Sequence, residues 1–227
     1  GTVPSVAEID ELAFEKVTVK RLSCGECPVA CSKGYGNGNI RMEGPEYETI
    51  GLFGPNIGVL DLHKIAKFNY YCNQYGLDTI TAGSMIGAIL ETGKYPVSES
   101  GGTEQAVLDL LHKIAFREEI GDLLAEGPRP AGSQLGISYH MPEIKGMGFP
   151  AYDPRCSPGT ALVYMTADRG ACHLRSWPLG RELSGMWEPD DLDGRIAFVK
   201  NQQNEKAAEE SLIVCQFPYG IGLLDEI

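Results

Sequence analysis

Cys24-Gly-Glu-Cys27-Pro-Val-Ala-Cys31 places three cysteines within eight residues, and the reading of that stretch decides what kind of fold this chain has. A C-x2-C-x3-C run brings three thiolates to one point, a geometry that suits an iron–sulfur cubane taking one further thiolate from elsewhere. Soft thiolates select zinc or iron–sulfur clusters over hard cations such as magnesium. Two other readings compete: three buried structural cysteines, or a Cys-rich structural zinc site. Zinc sites usually pair a C-x2-4-C with a second Cys/His pair at similar spacing, and none follows here. The cluster reading is therefore the stronger. Spacing alone leaves Cys72, Cys156, Cys172 and Cys215 open as its fourth ligand.

Working outward, the 227 residues are 43% hydrophobic and 22% charged, the balance of a globular chain long enough for a sizeable core. The net charge of −12 disfavours nucleic acid and anionic membrane as partners, because phosphate contacts need clustered Lys and Arg. No apolar run approaches the ~18 residues of a membrane span, and no basic segment followed by an apolar one opens the chain. Seven cysteines, an odd number with three of them clustered, fit a reducing cytoplasm better than a disulfide scaffold. An acidic redox partner would need a local basic patch, and Lys16, Lys20, Arg21 and Lys33 beside the cysteines are the candidates.

Periodicity predicts a mostly helical chain. Ser5-Val-Ala-Glu8 has the form of a capping box opening a helix to about Val17. A helix is expected from Asp61 to Tyr75, capped by Gly76, and another from about Thr81 to Thr92. Thr103 starts a third with Val107, Leu110, Leu111 and Ile114 inward; a shorter piece covers Glu119 to Glu126, where Pro128, Pro130 and Gly132 then break the pattern. A last long helix is expected between Asp190 and about Leu212. Gly34 to Asn39 reads as a turn. The stretch from Pro142 to Trp177 has no clean period and reads as a long functional loop, with a domain boundary near residues 140–150.

Further landmarks stand in order along the chain: Glu43-Gly-Pro-Glu-Tyr-Glu48-Thr, Asn73-Gln-Tyr-Gly76-Leu77-Asp78-Thr, the run from Lys113 to Gly127, and Lys145-Gly-Met-Gly-Phe-Pro-Ala-Tyr-Asp-Pro-Arg155. Asp168-Arg-Gly-Ala-Cys-His173-Leu-Arg175 and Leu212-Ile-Val-Cys215-Gln-Phe217 complete the set. With the cysteine run, they make the chain resemble the tungsten-containing aldehyde ferredoxin oxidoreductase family over almost its whole length. The resemblance implies a multihelical fold of two helical subdomains, with residues 1–145 as the cluster-binding domain (family domain 2) and 146–227 as part of the C-terminal one (family domain 3). It also implies that the family's N-terminal strand-rich domain is missing from this stretch, so that the chain is a fragment or subunit.

In that family the fourth cluster thiolate lies late, in a D-x-x-G-L-C motif. Its counterpart here is Glu210-Ser-Leu-Ile-Val-Cys215, and the sister motif D-x-x-G-L-D appears as Asn73 to Asp78. The resemblance thus implies a [4Fe–4S] cluster on Cys24, Cys27, Cys31 and Cys215. It implies a bis-pterin tungsten cofactor in the full-length enzyme, contacted by Asn73, Asp78, Arg175, Glu210 and Gln216, with Glu48 and His173 as catalytic residues beside the metal. Asn73 and Glu210 depart from the family's Asp but still offer hydrogen-bond acceptors; Asp78 could equally cap the following helix. The implied activity is oxidation of an aldehyde to a carboxylic acid with ferredoxin as acceptor, and the alternative is a stand-alone electron-transfer module. Where relatives carry a carboxylate for a dimer-bridging metal this chain has Lys67, which cannot ligate while protonated; no such metal is expected, and a homodimer stays open.

Overall fold

The computed structural model describes residues 5–37, 40–188, 190–213 and 215–220. Among them are eleven α-helices and two small antiparallel sheets, so the mostly helical expectation holds. The chain divides into two compact units. One comprises residues 1–22 and 31–151, the other residues 23–30 and 152–227.

The first unit opens with α1 (Glu11–Val17), whose N-cap is Asp10, accepting from the Ala13 N–H at 2.9 Å. The helix therefore starts later than the capping-box reading expects; Ser5 Oγ only accepts from Ala7 N within a turn. Strands β1 (Thr18–Leu22), β2 (Ser32–Asn37) and β3 (Ile40–Glu43) form an antiparallel sheet in that order. The stretch from Gly34, expected to be a turn, is thus strand as far as Asn37, with residues 38 and 39 outside the described set. Leu22 pairs with Ser32, so the cysteine run is the connection at the closed end of a β-hairpin.

The core of this unit lies among α2 (Tyr47–Phe53), α3 (Leu62–Tyr75), α4 (Thr79–Glu91) and α5 (Gly102–Phe116). On α3, Leu62, Ile65, Ala66, Phe68, Asn69 and Cys72 are buried, the recurring three-and-four spacing of one helix face. Asn69 is buried without penalty because its Nδ2 donates to the Glu43 carbonyl at 3.1 Å, tying α3 to β3. Fully buried Phe53, Phe68, Ile86, Ile89, Leu110 and Leu111 each contribute ~1.5–3 kcal/mol by leaving water. The unit closes with α6 (Ile120–Leu124), α7 (Pro128–Leu135) and the short pair β4 (Glu143–Ile144) and β5 (Met147–Gly148). Helix α7 overturns the reading of its prolines as breakers. Pro128 occupies the first helical position, where its missing N–H costs nothing.

The second unit holds α8 (Pro158–Thr166), α9 (Leu179–Leu183), α10 (Leu192–Ser211) and α11 (Gln216–Gly220). Helix α8 lies inside the stretch expected to be one long loop. Ser157 caps it, again with proline at the first position. A buried pair braces the unit: Arg195 donates to Glu182 at 2.8 Å and to the Glu188 and Asp191 carbonyls, while Glu182 also accepts from Ser157 and Gly159 N.

Candidate functional site

Two helix junctions carry most of the candidate ligands, and they run through the same turn. At the first, α3 ends and Gly76 takes a left-handed conformation (φ 68°), its N–H bonding the Asn73 carbonyl at 3.4 Å. Leu77 follows, then Asp78, which caps α4. At the second, α10 ends, Ile213 is left-handed (φ 57°) and its N–H bonds the Glu210 carbonyl at 3.0 Å. Val214 lies outside the described residues; Cys215 then stands immediately before α11. Residue for residue, Asn73, Gly76 and Asp78 correspond to Glu210, Ile213 and Cys215.

The occupants of these matched positions behave differently. Glycine meets no steric cost in the left-handed region, whereas a β-branched side chain there is an outlier. Asp78 accepts from Thr81 N at 2.8 Å and Ile80 N at 3.3 Å, so the capping alternative is realised. A carboxylate still has lone pairs to spare beyond two such bonds. Cys215 is exposed, as are Asn73 and Asp78, while Gln216 is half-buried as the first residue of α11.

Glu48 sits in the first turn of α2, where a carboxylate is favoured by the helix dipole. Its Oε2 accepts from the Ala151 N–H at 2.6 Å. That approach requires Gly51 one turn later, since a Cβ there would meet the Ala151 Cβ at 2.5 Å. Neighbouring Tyr47 keeps an exposed side chain, yet partial desolvation and the Glu48 charge push its phenol up. Beside them an open groove of about 520 Å³ is lined by Phe14, Cys31, Lys33, Glu46 and Ile50, and burial raises the Glu46 carboxyl.

In the second unit His173 opens a single helical turn, His173–Arg175, and stacks among aromatics, 5.2 Å from the Tyr152 ring centroid and 6.0 Å from Trp177. Burial, assisted by the Arg169 cation, pushes its imidazole down to about 4, so it is neutral at pH 7. Arg169 also donates two hydrogen bonds to the Cys172 sulfur, at 2.8 and 3.0 Å. Two residues on, Arg175 forks onto Asp168, Nε to Oδ1 at 2.6 Å and Nη2 to Oδ2 at 3.1 Å, and gives Nη1 to Glu210. These bonds raise the Arg175 pKa, and the same guanidinium holds Asp168 below the usual carboxylate range. Arg175 and Glu210, both expected at the cofactor, are therefore gathered; Asp168, Tyr152 and Trp177 join them unforeseen.

The cysteines are not gathered in this way. Cys24, Cys31, Cys156 and Cys215 are exposed free thiols, Cys27 is half-buried, and Cys72 and Cys172 are buried. Cys27 N donates to the Cys24 carbonyl at 3.0 Å, and left-handed Glu26 (φ 60°) and Ala30 (φ 45°) bend the loop around them. Among the described residues no three of His, Cys, Asp or Glu stand together in a metal-holding group. No described helix is long and apolar enough to cross a membrane. Burial lifts the Cys72 thiol to about 12, which makes it a packing residue. Lys67 bonds Glu104 at 2.9 Å.

The donor chemistry fits the groups expected here. Four unbridged thiols suit an iron–sulfur cluster. For a pterin, Arg175 keeps N–H donors beyond the three in use, and Asn73, Asp78 and Gln216 present amide or carboxylate groups at helix ends.

Compared with known proteins, residues 1–226 match the family described as "Aldehyde ferredoxin oxidoreductase, domains 2 & 3". Tungsten-containing aldehyde ferredoxin oxidoreductases from Thermococcus kodakarensis and Pyrococcus horikoshii are 31% and 33% identical, over 95% of this chain and 38% of each relative. The aliphatic sulfonate oxidoreductase WOR-like subunit of Pyrococcus furiosus is 33% identical over 56% of this chain and 21% of that protein. In fold alone, the chain resembles the active-site complex BamBC of benzoyl coenzyme A reductase, with a TM-score of 0.58 at 20% identity, over 83% of this chain and 32% of that one. The chain thus spans well under half the length of these relatives.

Proposed function

This chain belongs to the aldehyde ferredoxin oxidoreductase family, and from that premise we propose that it is the cluster-bearing helical part of an enzyme oxidising aldehydes to carboxylic acids with ferredoxin as acceptor. The observation that carries the reading is the pair of matched junctions, which set Asp78 and Cys215 in equivalent slots beside Asn73 and Glu210. Cys24, Cys27, Cys31 and Cys215 would hold a [4Fe–4S] cluster. Asn73, Asp78, Arg175, Glu210 and Gln216 would hydrogen-bond the pterin. When bound, tungstopterin supplies a two-electron acceptor and the cluster a one-electron relay.

An aldehyde and water give a carboxylic acid with release of two electrons and two protons, so the protein must take up protons at the carbonyl. Glu48 is the base, accepting a proton from the attacking water, and the Ala151 N–H holds one carboxylate oxygen in place. His173, neutral at working pH, orients through a hydrogen bond and carries no competing charge. The test is aldehyde-dependent ferredoxin reduction by the chain produced together with a strand-rich pterin-binding region. Glu48→Gln keeps a hydrogen-bond acceptor for Ala151 and should lose ~10²–10⁴-fold in kcat with metals retained, the range for removal of a general base. Near-normal turnover across the pH range in that variant would end the mechanism. A second reading, an electron-transfer module without its own catalytic site, is favoured by the 38% span. It predicts a redox-active cluster and no aldehyde turnover in any combination.

A further inference from the structure

We propose that the β1–β2 hairpin is the docking surface for an acidic electron carrier, a deepening that rests on the ferredoxin reading above. From residue 16 to residue 42 the chain carries Lys16, Lys20, Arg21, Lys33 and Arg41 against the single acid Glu26, in a protein of net charge −12. Strand register concentrates these cations. Arg21 pairs directly with Lys33, one step back from the Leu22–Ser32 pair at which the cysteine connection begins and ends. Like charges directly opposite on a sheet destabilise it, an arrangement that costs stability unless something of opposite sign covers it.

The cations elsewhere are mostly engaged by partners within the chain. Lys64 and Lys67 share Glu104, Lys113 holds Asp109 and Glu119, Arg117 holds Asp122 and Glu126, and Arg175 holds Asp168 and Glu210. None of the five hairpin cations forms an ion pair among the described residues. Lys16, Lys20, Arg21 and Arg41 are exposed, and Lys33 lies 5.2 Å over the Phe14 ring. Glu15 and Glu43 border the patch, the latter accepting from Ser32 Oγ at 2.8 Å, so the field is positive but not uniform. Exposed Val19 adds an apolar contact beside Lys20. A carrier drawn to this patch is brought to the strands that flank Cys24 and Cys31, which is where electrons would leave a cluster.

The test measures binding of a small acidic ferredoxin to the cluster-loaded chain, at low and high salt, for Lys20→Glu with Arg21→Glu and for a control, Lys94→Glu with Lys200→Glu. Both pairs change net charge equally at exposed positions. The hairpin variant should weaken binding on the order of tenfold at low ionic strength, mainly through the on-rate. The control should stay close to the parent. The difference should fade toward 1 M salt, where the screening length falls to about 3 Å. Because all four side chains are exposed, a circular-dichroism match to the parent is expected, and Lys20→Ala with Arg21→Ala should fall between. Parent-like binding by the hairpin variant overturns the surface and leaves the ferredoxin reading standing. No ferredoxin binding by the parent overturns both.

Discussion

The junction from Asn73 to Asp78 and the junction from Glu210 to Cys215 use one backbone turn for two chemistries. At the first, every position suits its conformation: Gly76 is free to be left-handed and Asp78 caps α4. At the second, Ile213 is left-handed and 93% exposed, so no packing compensates its strain, and a thiol stands where the cap should be. A residue held in that region persists where its surroundings over-determine it, and such sites cluster at ligand clamps. The first junction is thus complete by itself. The second makes sense as a turn whose terminal cysteine is wanted by something other than the helix.

Acid offers the largest expected separation between the units that carry these junctions. His173, in the second unit, is pushed from 6.5 to about 4. The unfolded chain then binds a proton that the folded unit refuses, so stability is intact above about pH 6.5 and is lost as pH falls toward 4. The loss reaches a few kcal/mol at most, since a tenfold change in proton affinity is worth about 1.36 kcal/mol. Lowering of Glu104, Asp109 and Glu143 in the first unit acts only at more acid pH. Proteolysis at pH 5 should therefore release fragments of residues 152–227 first, and His173→Phe should remove the difference. Simultaneous cleavage of both units in the parent would remove this asymmetry.

Exchanging the turn residues sharpens the comparison more directly. Ile213→Gly should stabilise the second unit by ~1–2 kcal/mol, the cost of a Cβ in the left-handed region, and Gly76→Ile should destabilise the first by a similar amount. No atom lies within 4 Å of a Cβ at Gly76, so strain alone is read there. Urea titrations with unchanged midpoints would show the two turns to be equivalent after all. The smallest effect belongs to the cap. Asp78→Ala should cost about 1 kcal/mol in the same titrations while leaving iron content untouched. Loss of iron in that variant would mean that the first junction, too, serves the cluster.

Helices with clear end signals were legible from sequence: Asp61 and Gly76 bound α3, and the inward face of α5 follows its periodicity. The hairpin was not, because Gly34 and Gly36 lack the side chains by which strands are recognised, and its pairing is a long-range property. Helices α7 and α8 escaped because proline reads as a breaker unless its place at the first position is known. At the site, residue types and the family resemblance supplied the candidates, while the Arg175–Glu210 pair and the Ala151 contact to Glu48 could not be read from spacing. Asp168 did have a signal, since it stands in the same run as His173 and Arg175. Thiols stay apart for a physical reason: nothing but a metal offsets the cost of gathering three or four of them.

The central claim is that Cys24, Cys27, Cys31 and Cys215 hold one [4Fe–4S] cluster, and iron and acid-labile sulfide in anaerobically prepared protein test it most directly. The account predicts iron and sulfide in the ratio of a cubane in the parent and in Cys156→Ala, with most occupancy lost, or a three-iron signal, in Cys215→Ala. Full iron and sulfide with an unchanged spectrum in Cys215→Ala, or zinc in place of iron in the parent, would contradict it.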